Sequence, residues 1–208
     1  MGHYFDEQPD APSMPREVEL WLPDMSLTLT TDRGVFGYDQ IDAGSKLLLL
    51  KAPAPPQAGN LLDLGCGTGT IALPLGRRSP GATVWAVDIN VRARDLCTAN
   101  ATANDVSNVR VAGPDDVPAD VVFECIWSNP PIRIGKPALH EMLLTWLARL
   151  APAGYAVMVV HKHLGGDSLQ RWLNEQGYPT ERVASSSGYR ILRTSRFERT
   201  RQQPASSA

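Results

Sequence analysis

The chain has 208 residues, of which 43% are apolar and 20% charged, with a net charge of −2. These values allow a substantial globular core and exclude a global basic field of the kind that drives non-specific nucleic-acid binding. The longest apolar runs, such as Leu47–Leu50, are far too short to span a bilayer, so a membrane protein is not expected.

Residues 1–16 hold three prolines and form a loose, acidic lead-in without the apolar stretch of a secretory signal. Glu17–Leu22 and Ser26–Thr31 alternate as two strands joined at Pro23-Asp24-Met25. Asp42 is placed to N-cap a helix over Gly44–Lys51. After a proline-rich break comes a run of strands alternating with helices, the signature of a parallel α/β sheet. The strands are expected at Leu61–Leu64, Thr83–Asp88, Val109–Ala112, Asp120–Trp127 and Tyr155–His161. Helices are expected from Thr70 onward, then over Arg92–Asn104, Ala138–Leu150 and Ser168–Gln176. Thr180–Ala184 and Tyr189–Arg196 form a final antiparallel pair, and 202–208 a disordered tail. The expected fold is α/β, a doubly wound, mostly parallel seven-stranded sheet with a short N-terminal β-hairpin. The expected domains are an extension over 1–52, a sheet domain over 53–201 and the tail.

The cysteines are Cys66, Cys97 and Cys125; none has CxxC spacing, so neither a zinc site nor a redox motif is expected. Their odd number fits a reducing cytoplasm.

The organising stretch is Leu61-Leu62-Asp63-Leu64-Gly65-Cys66-Gly67-Thr68-Gly69. A short buried strand, a glycine loop and a helix N-terminus make a nucleotide-type site. A dinucleotide fingerprint would need glycine or alanine where Thr70 stands, which disfavours an NAD-dependent reductase. No Gly-Lys-Ser/Thr follows, which excludes a phosphate loop. Asp63-x-Gly65-x-Gly67-x-Gly69 resembles the first motif of class I S-adenosylmethionine methyltransferases, a Rossmann-like family. That resemblance implies S-adenosylmethionine as cofactor, with Gly65, Cys66, Gly67 and Gly69 around it and Asp63 suited to its ammonium. Asp88 follows 25 positions after Asp63 at the end of the second strand, where an acid binds ribose hydroxyls. Ile89 can pack on the adenine. One acid of Asp115 and Asp116 reaches the adenine amine by the same resemblance, and Asp115 is preferred.

The second signal is Asn129-Pro130-Pro131, at the carboxyl end of the fourth strand. Sheets of this kind bind ligands at that edge. An exocyclic amine on a base is a poor nucleophile because its lone pair is delocalised into the ring. Carbonyl oxygens at Asn129 and Pro130 can accept both of its N–H bonds and turn the lone pair toward the methyl donor. This is positioning and electrostatics, with no covalent intermediate. Cys66 and Cys125 are expected to be packing residues.

Asn-Pro-Pro-Ile-Arg-x-Gly-Lys over 129–136 resembles small-subunit ribosomal RNA guanine-N2 methyltransferases. Arg33-Gly34-Val35-Phe36, Ile41-Asp42-Ala43-Gly44-Ser45 and Gly188-Tyr189-Arg190-Ile191-Leu192 agree with that family. The resemblance implies methylation of guanine N2 in 16S ribosomal RNA and a ribosomal RNA or small-subunit partner. It makes Phe36 a roof over the cofactor. Other amine acceptors, such as adenine N6, a protein side chain or a small molecule, stay open. So does a SAM-binding assembly module without catalysis. No metal and no particular oligomer is implied, and a monomer fits the pattern. Ile132, Arg133, Lys136, Lys162 and Arg190 are the candidate substrate contacts. The six arginines of 182–201 could form a phosphate track with Arg133 and Lys136.

Overall fold

The computed structural model describes residues 11–196. Most of the acidic lead-in, the tail 202–208, Arg199 and Arg201 lie outside the described residues. An antiparallel hairpin, β1 (Arg16–Leu22) and β2 (Met25–Thr31), comes first, followed by α1 (Ala43–Lys51). Then come β3 (Ala58–Leu64), α2 (Ala72–Arg78), β4 (Gly81–Val87), α3 (Val91–Ala103), β5 (Val109–Ala112) and β6 (Phe123–Ser128). The chain continues with α4 (Lys136–Leu147), β7 (Leu150–His161), α5 (Gly166–Glu175), β8 (Thr180–Ser186) and β9 (Tyr189–Ser195).

Seven strands form one sheet in the order β5-β4-β3-β6-β7-β9-β8. The first five are parallel, and β9 runs antiparallel to both β7 and β8. This is the doubly wound sheet and hairpin that the sequence pattern predicts. Strand order reverses at β3 and β6, which opens a crevice beyond their carboxyl ends.

Alternation along the strands divides the core in two. Leu61, Val84, Cys125, Trp127, Val157 and Ile191 face one side, under the hairpin and helices α1–α3. Leu62, Trp85, Ile126, Met158 and Leu192 face the other, under α4 and α5. Hairpin residues Leu20, Leu27 and Leu29 are fully buried in the first of these cores, so the hairpin shares its packing with the sheet. Buried Asn100 on α3 substitutes for a missing strand neighbour. Its amide accepts from Thr30 N at 2.8 Å and donates to Thr30 O and to Thr68 O at 2.9 Å.

Element boundaries depart from the sequence pattern in places. Leu150 starts β7 rather than ending α4, although it buries in the core under α4. Asp120 to Val122 precede β6 as irregular chain, where the Arg149 guanidinium donates to the Pro118 and Val121 carbonyls. Helix α2 starts at Ala72, not Thr70, because Gly69 sits at φ +90°, which no helix tolerates. Among the described residues no helix is long and apolar enough to cross a membrane.

Candidate active site

The loop after β3 is laid across the end of β4. Gly65 N and Cys66 N both donate to Val87 O, at 2.8 and 3.0 Å. Gly67 N donates to Asp88 Oδ2 at 2.9 Å, and Asp88 Oδ1 accepts from Asn90 N at 2.9 Å. Burial raises the Asp88 carboxyl above its ordinary value, although these two N–H donors oppose the shift. The glycines differ in purpose. A Cβ on Gly67, at φ +53°, would project into open space with only Phe36 O as near as 4.0 Å. A Cβ on Gly69 would run into a Leu73 methyl and lie 3.0 Å from Cys97 Sγ. Gly67 therefore leaves room for a ligand, and Gly69 for the core.

Asp63 is placed otherwise than its motif suggests. It is fully buried behind the loop and does not line the cavity. Its Oδ2 accepts from Ala72 N at 2.8 Å and so caps α2 from the neighbouring strand. The expected free helix N-terminus is thus partly engaged, and α2 is only seven residues long. Desolvation pushes the Asp63 carboxyl up to about 8, helped by the Asp88 charge and opposed by the Ala72 N–H.

Asn129 follows β6, which is locked to β3 by Ser128 Oγ donating to Leu64 O at 2.7 Å. Asn129 Nδ2 donates to Asp42 Oδ2 at 2.8 Å and to Ser45 Oγ at 3.0 Å. Both acceptors belong to the start of α1, where Asp42 is the predicted N-cap and accepts from Ser45 N at 2.8 Å. With its nitrogen engaged, Asn129 presents Oδ1 as the acceptor. The Pro130 carbonyl already accepts from Ile132 N at 2.8 Å across a tight turn at Pro131. It retains its second lone pair for an incoming N–H.

One cavity of about 1150 Å³ joins these parts. That exceeds the common range for a single ligand, about 300–1,000 Å³, and leaves space for a cofactor together with an acceptor. Its lining includes Gly65, Gly67, Asp88, Ile89 and Phe36 from the glycine-loop side of the sheet edge and Asn129, Pro130, Pro131, Ile132 and Arg133 from the chain after β6. Phe36 and Ile89 are apolar lining residues that are 41% and 49% exposed. The segment that carries Phe36 is tied down by Asn90 Nδ2, which donates to Gly34 O at 2.8 Å.

Other predicted site residues stand back from the cavity. Cys66 and Gly69 lie beneath the loop, and Asp115, Lys136 and Lys162 are exposed outside the lining. Asp116 folds back to accept from Gly113 N at 3.1 Å, which leaves Asp115 as the more available acid. Cys125 is fully buried, and burial pushes its thiol up to about 12, which keeps it from acting as a nucleophile.

Among the described residues, the arginines of 182–196 do not form one track at the mouth. β9 pairs Tyr189 with His161 at the ligand edge and Ser195 with Tyr155, about 20 Å further down the sheet. Arg190 and Arg182 share Asp167 at 3.4 and 3.7 Å, and Arg193 pairs with Glu181 at 3.7 Å. Arg196 donates to Leu150 O at 2.7 Å. Sequence reading missed the lining from α4, Glu141, Met142 and Trp146, and the wall formed by Tyr189. The helix was expected over Ala138–Leu150, but nothing in that stretch marked which positions border a void.

The residues present fit S-adenosylmethionine. Two glycines sit where a Cβ would fill the cavity, an acid stands at the end of β4, and apolar side chains lie on either side.

The family model described as the methyltransferase small domain matches residues 26–193. The uncharacterized protein YbxB of Bacillus subtilis (strain 168) is 32% identical over 194 residues, which is 92% of this chain and 96% of that protein. Ribosomal RNA small subunit methyltransferase C of Pseudomonas aeruginosa (strain LESB58) is 31% identical over 191 residues, 88% of this chain and 55% of that one. Among solved structures, the T. thermophilus 16S rRNA N2 G1207 methyltransferase (RsmC), in complex with AdoMet and guanosine, superposes with a TM-score of 0.74. The identity there is 23%, over 90% of this chain and 52% of that one. The chain spans about half the length of the ribosomal RNA methyltransferases it matches, and nearly all of YbxB. With the family match covering most of the sheet and the glycine loop, the chain belongs to the methyltransferase small domain family of S-adenosylmethionine-dependent methyltransferases.

Proposed function

We propose that the protein methylates the exocyclic N2 amine of a guanine in 16S ribosomal RNA. The observation that carries this reading is the Asn129 amide. Its nitrogen is engaged by Asp42 and Ser45, and its oxygen is left as an acceptor in the cavity that also holds the glycine loop. The run Asn129–Lys136 and the named functions of the ribosomal RNA relatives support guanine as the base.

In this reading Gly65, Gly67, Asp88 and Ile89 hold the cofactor, with Phe36 above it. Bound there, S-adenosylmethionine supplies an electrophilic sulfonium methyl. Asn129 Oδ1 accepts one N–H of the guanine amine and the free lone pair of Pro130 O accepts the other. The two bonds orient the amine and strengthen as its nitrogen gains positive charge, which lowers the barrier, and the surplus proton on the methylated nitrogen passes to solvent. Ile132 offers the base an apolar contact, and Arg133 at the rim a charge for a flanking phosphate.

Nucleoside mass analysis of 16S ribosomal RNA from a deletion strain tests the reading. Loss of one 2-methylguanosine, restored by the wild-type gene and by a Cys125→Ala variant, is the expected result. An unchanged 2-methylguanosine content would refute guanine N2 as the target.

A further inference from the structure

We propose that Asp42, together with Ser45, is the positioning pair of the methyl-transfer site and holds the Asn129 amide in the single orientation that can accept from an amine. The inference rests on the amino-methylation reading above and extends it to residues on α1. Asp42 and Asn129 are 87 positions apart in the chain and lie on different elements.

A primary amide is nearly symmetric in shape, and its two orientations differ only in which end donates. Turned the wrong way, Asn129 would present an NH₂ group to an incoming amine N–H, donor against donor. An ionised carboxylate can only accept. Asp42 Oδ2, 2.8 Å from Asn129 Nδ2, would meet a second acceptor if the amide flipped. The flip is thereby forbidden by charge rather than by shape. Ser45 Oγ, 3.0 Å away, takes a second contact from the same nitrogen. The carboxylate also polarises the amide and makes Oδ1 a stronger acceptor as positive charge develops on the amine.

Asp42 is itself held in place. Its Oδ2 accepts from Ser45 N at 2.8 Å, and its carbonyl accepts from Lys46 N at 3.0 Å. The space around it is reserved by Gly44, where a Cβ would lie 2.9 Å from Asp42 Oδ2 and 2.8 Å from Tyr189 Cε1. An ordinary helix cap needs neither the bond to Asn129 nor this cleared space.

Asp42→Gly separates the two roles, since glycine is tolerated at a helix N-cap but removes the oxygen that accepts from both Ser45 N and Asn129 Nδ2. The expected result is nearly unchanged unfolding stability, an S-adenosylmethionine dissociation constant within about twofold, and a turnover on ribosomal RNA lower by roughly 10- to 100-fold. In an Asn129→Ala background the same change should cost less than about twofold, because the two residues act as one unit. Full turnover in Asp42→Gly, or an equal loss in both backgrounds, would overturn the proposal. A second measurement does not depend on the substrate. The Asn129 side-chain NH₂ resonances should show slowed exchange with solvent in the wild type and fast exchange in Asp42→Gly. Fast exchange in the wild type would overturn the pairing. Slow exchange in a protein that methylates no RNA would instead retain the pairing and remove the guanine-N2 reading.

Discussion

Replacing Gly67 and Gly69 by alanine separates a glycine that faces the cavity from one that faces the core, two residues apart. At Gly67 the backbone has φ +53°, within the left-handed region an L-residue reaches at a cost of about 1–2 kcal/mol. The added methyl meets no protein atom closer than 4.0 Å and enters the cavity. At Gly69 the backbone has φ +90°, beyond that region, with strain of about 1–3 kcal/mol. The added methyl collides with Leu73 and presses on Cys97 Sγ, which adds about 1–3 kcal/mol of overpacking. Gly69→Ala should therefore lose roughly 2–6 kcal/mol of unfolding free energy, and Gly67→Ala only about 1–2 kcal/mol. Affinity runs in the opposite order. Gly67→Ala should weaken S-adenosylmethionine binding by at least about tenfold, roughly 1.4 kcal/mol, because the methyl occupies the ligand's contact surface. Urea unfolding followed by circular dichroism gives the stabilities, and titration calorimetry gives the affinities. Wild-type affinity in Gly67→Ala, or a smaller stability loss at Gly69 than at Gly67, would refute the division of roles.

Three further outcomes are expected. Asp88→Ala should weaken S-adenosylmethionine binding by roughly 1.5–3 kcal/mol, the scale for hydrogen bonds to a charged group; unchanged affinity in calorimetry would remove Asp88 from the site. The folded protein holds the Asp63 proton more tightly than the unfolded chain does, since its carboxyl is raised to about 8. That contribution to stability is complete below about pH 4 and is lost as pH rises toward 8, at up to about 1.4 kcal/mol per pH unit. Asp63→Asn should flatten the decline in urea unfolding between pH 5 and 8, and equal slopes in the two proteins would contradict the assignment. Arg133→Ala with Lys136→Ala should reduce the salt dependence of RNA binding by about 0.7–0.9 per lost phosphate contact. Arg193→Ala, paired with Glu181 far down the sheet, should leave that slope alone, and the reverse pattern would place the RNA on the β8–β9 edge.

Much of the sheet and of the ligand edge was legible in the sequence because the signals are local. Leu61 to Leu64 and Cys125 to Trp127 are short apolar runs bounded by breakers, which suits strands buried on both faces. The glycine loop, Asp88 and Asn129-Pro130-Pro131 each sit where a strand ends, and strand ends on one edge of a parallel sheet converge whatever the intervening helices contain. The Asp42 cap was legible for the same reason, since it is settled within one turn of helix.

Contacts between distant segments were decided only by the tertiary structure. Asp63 has the same neighbours in sequence whether its carboxylate faces a ligand or caps α2; the fold turned it inward to Ala72 N. Six arginines in twenty residues suggested a basic track, but the register of β9 on β7 spread the described ones along the sheet and gave them acids and carbonyls as partners. Leu150 carries the apolar periodicity of α4 and the β-strand position of β7 equally well, and chain reversal at Arg149 assigned it to the strand. The bond from Asn129 to Asp42 crosses 87 residues. No periodicity or spacing encodes it, because it depends on how α1 packs against β7, and only that packing turns a helix cap into a partner of Asn129.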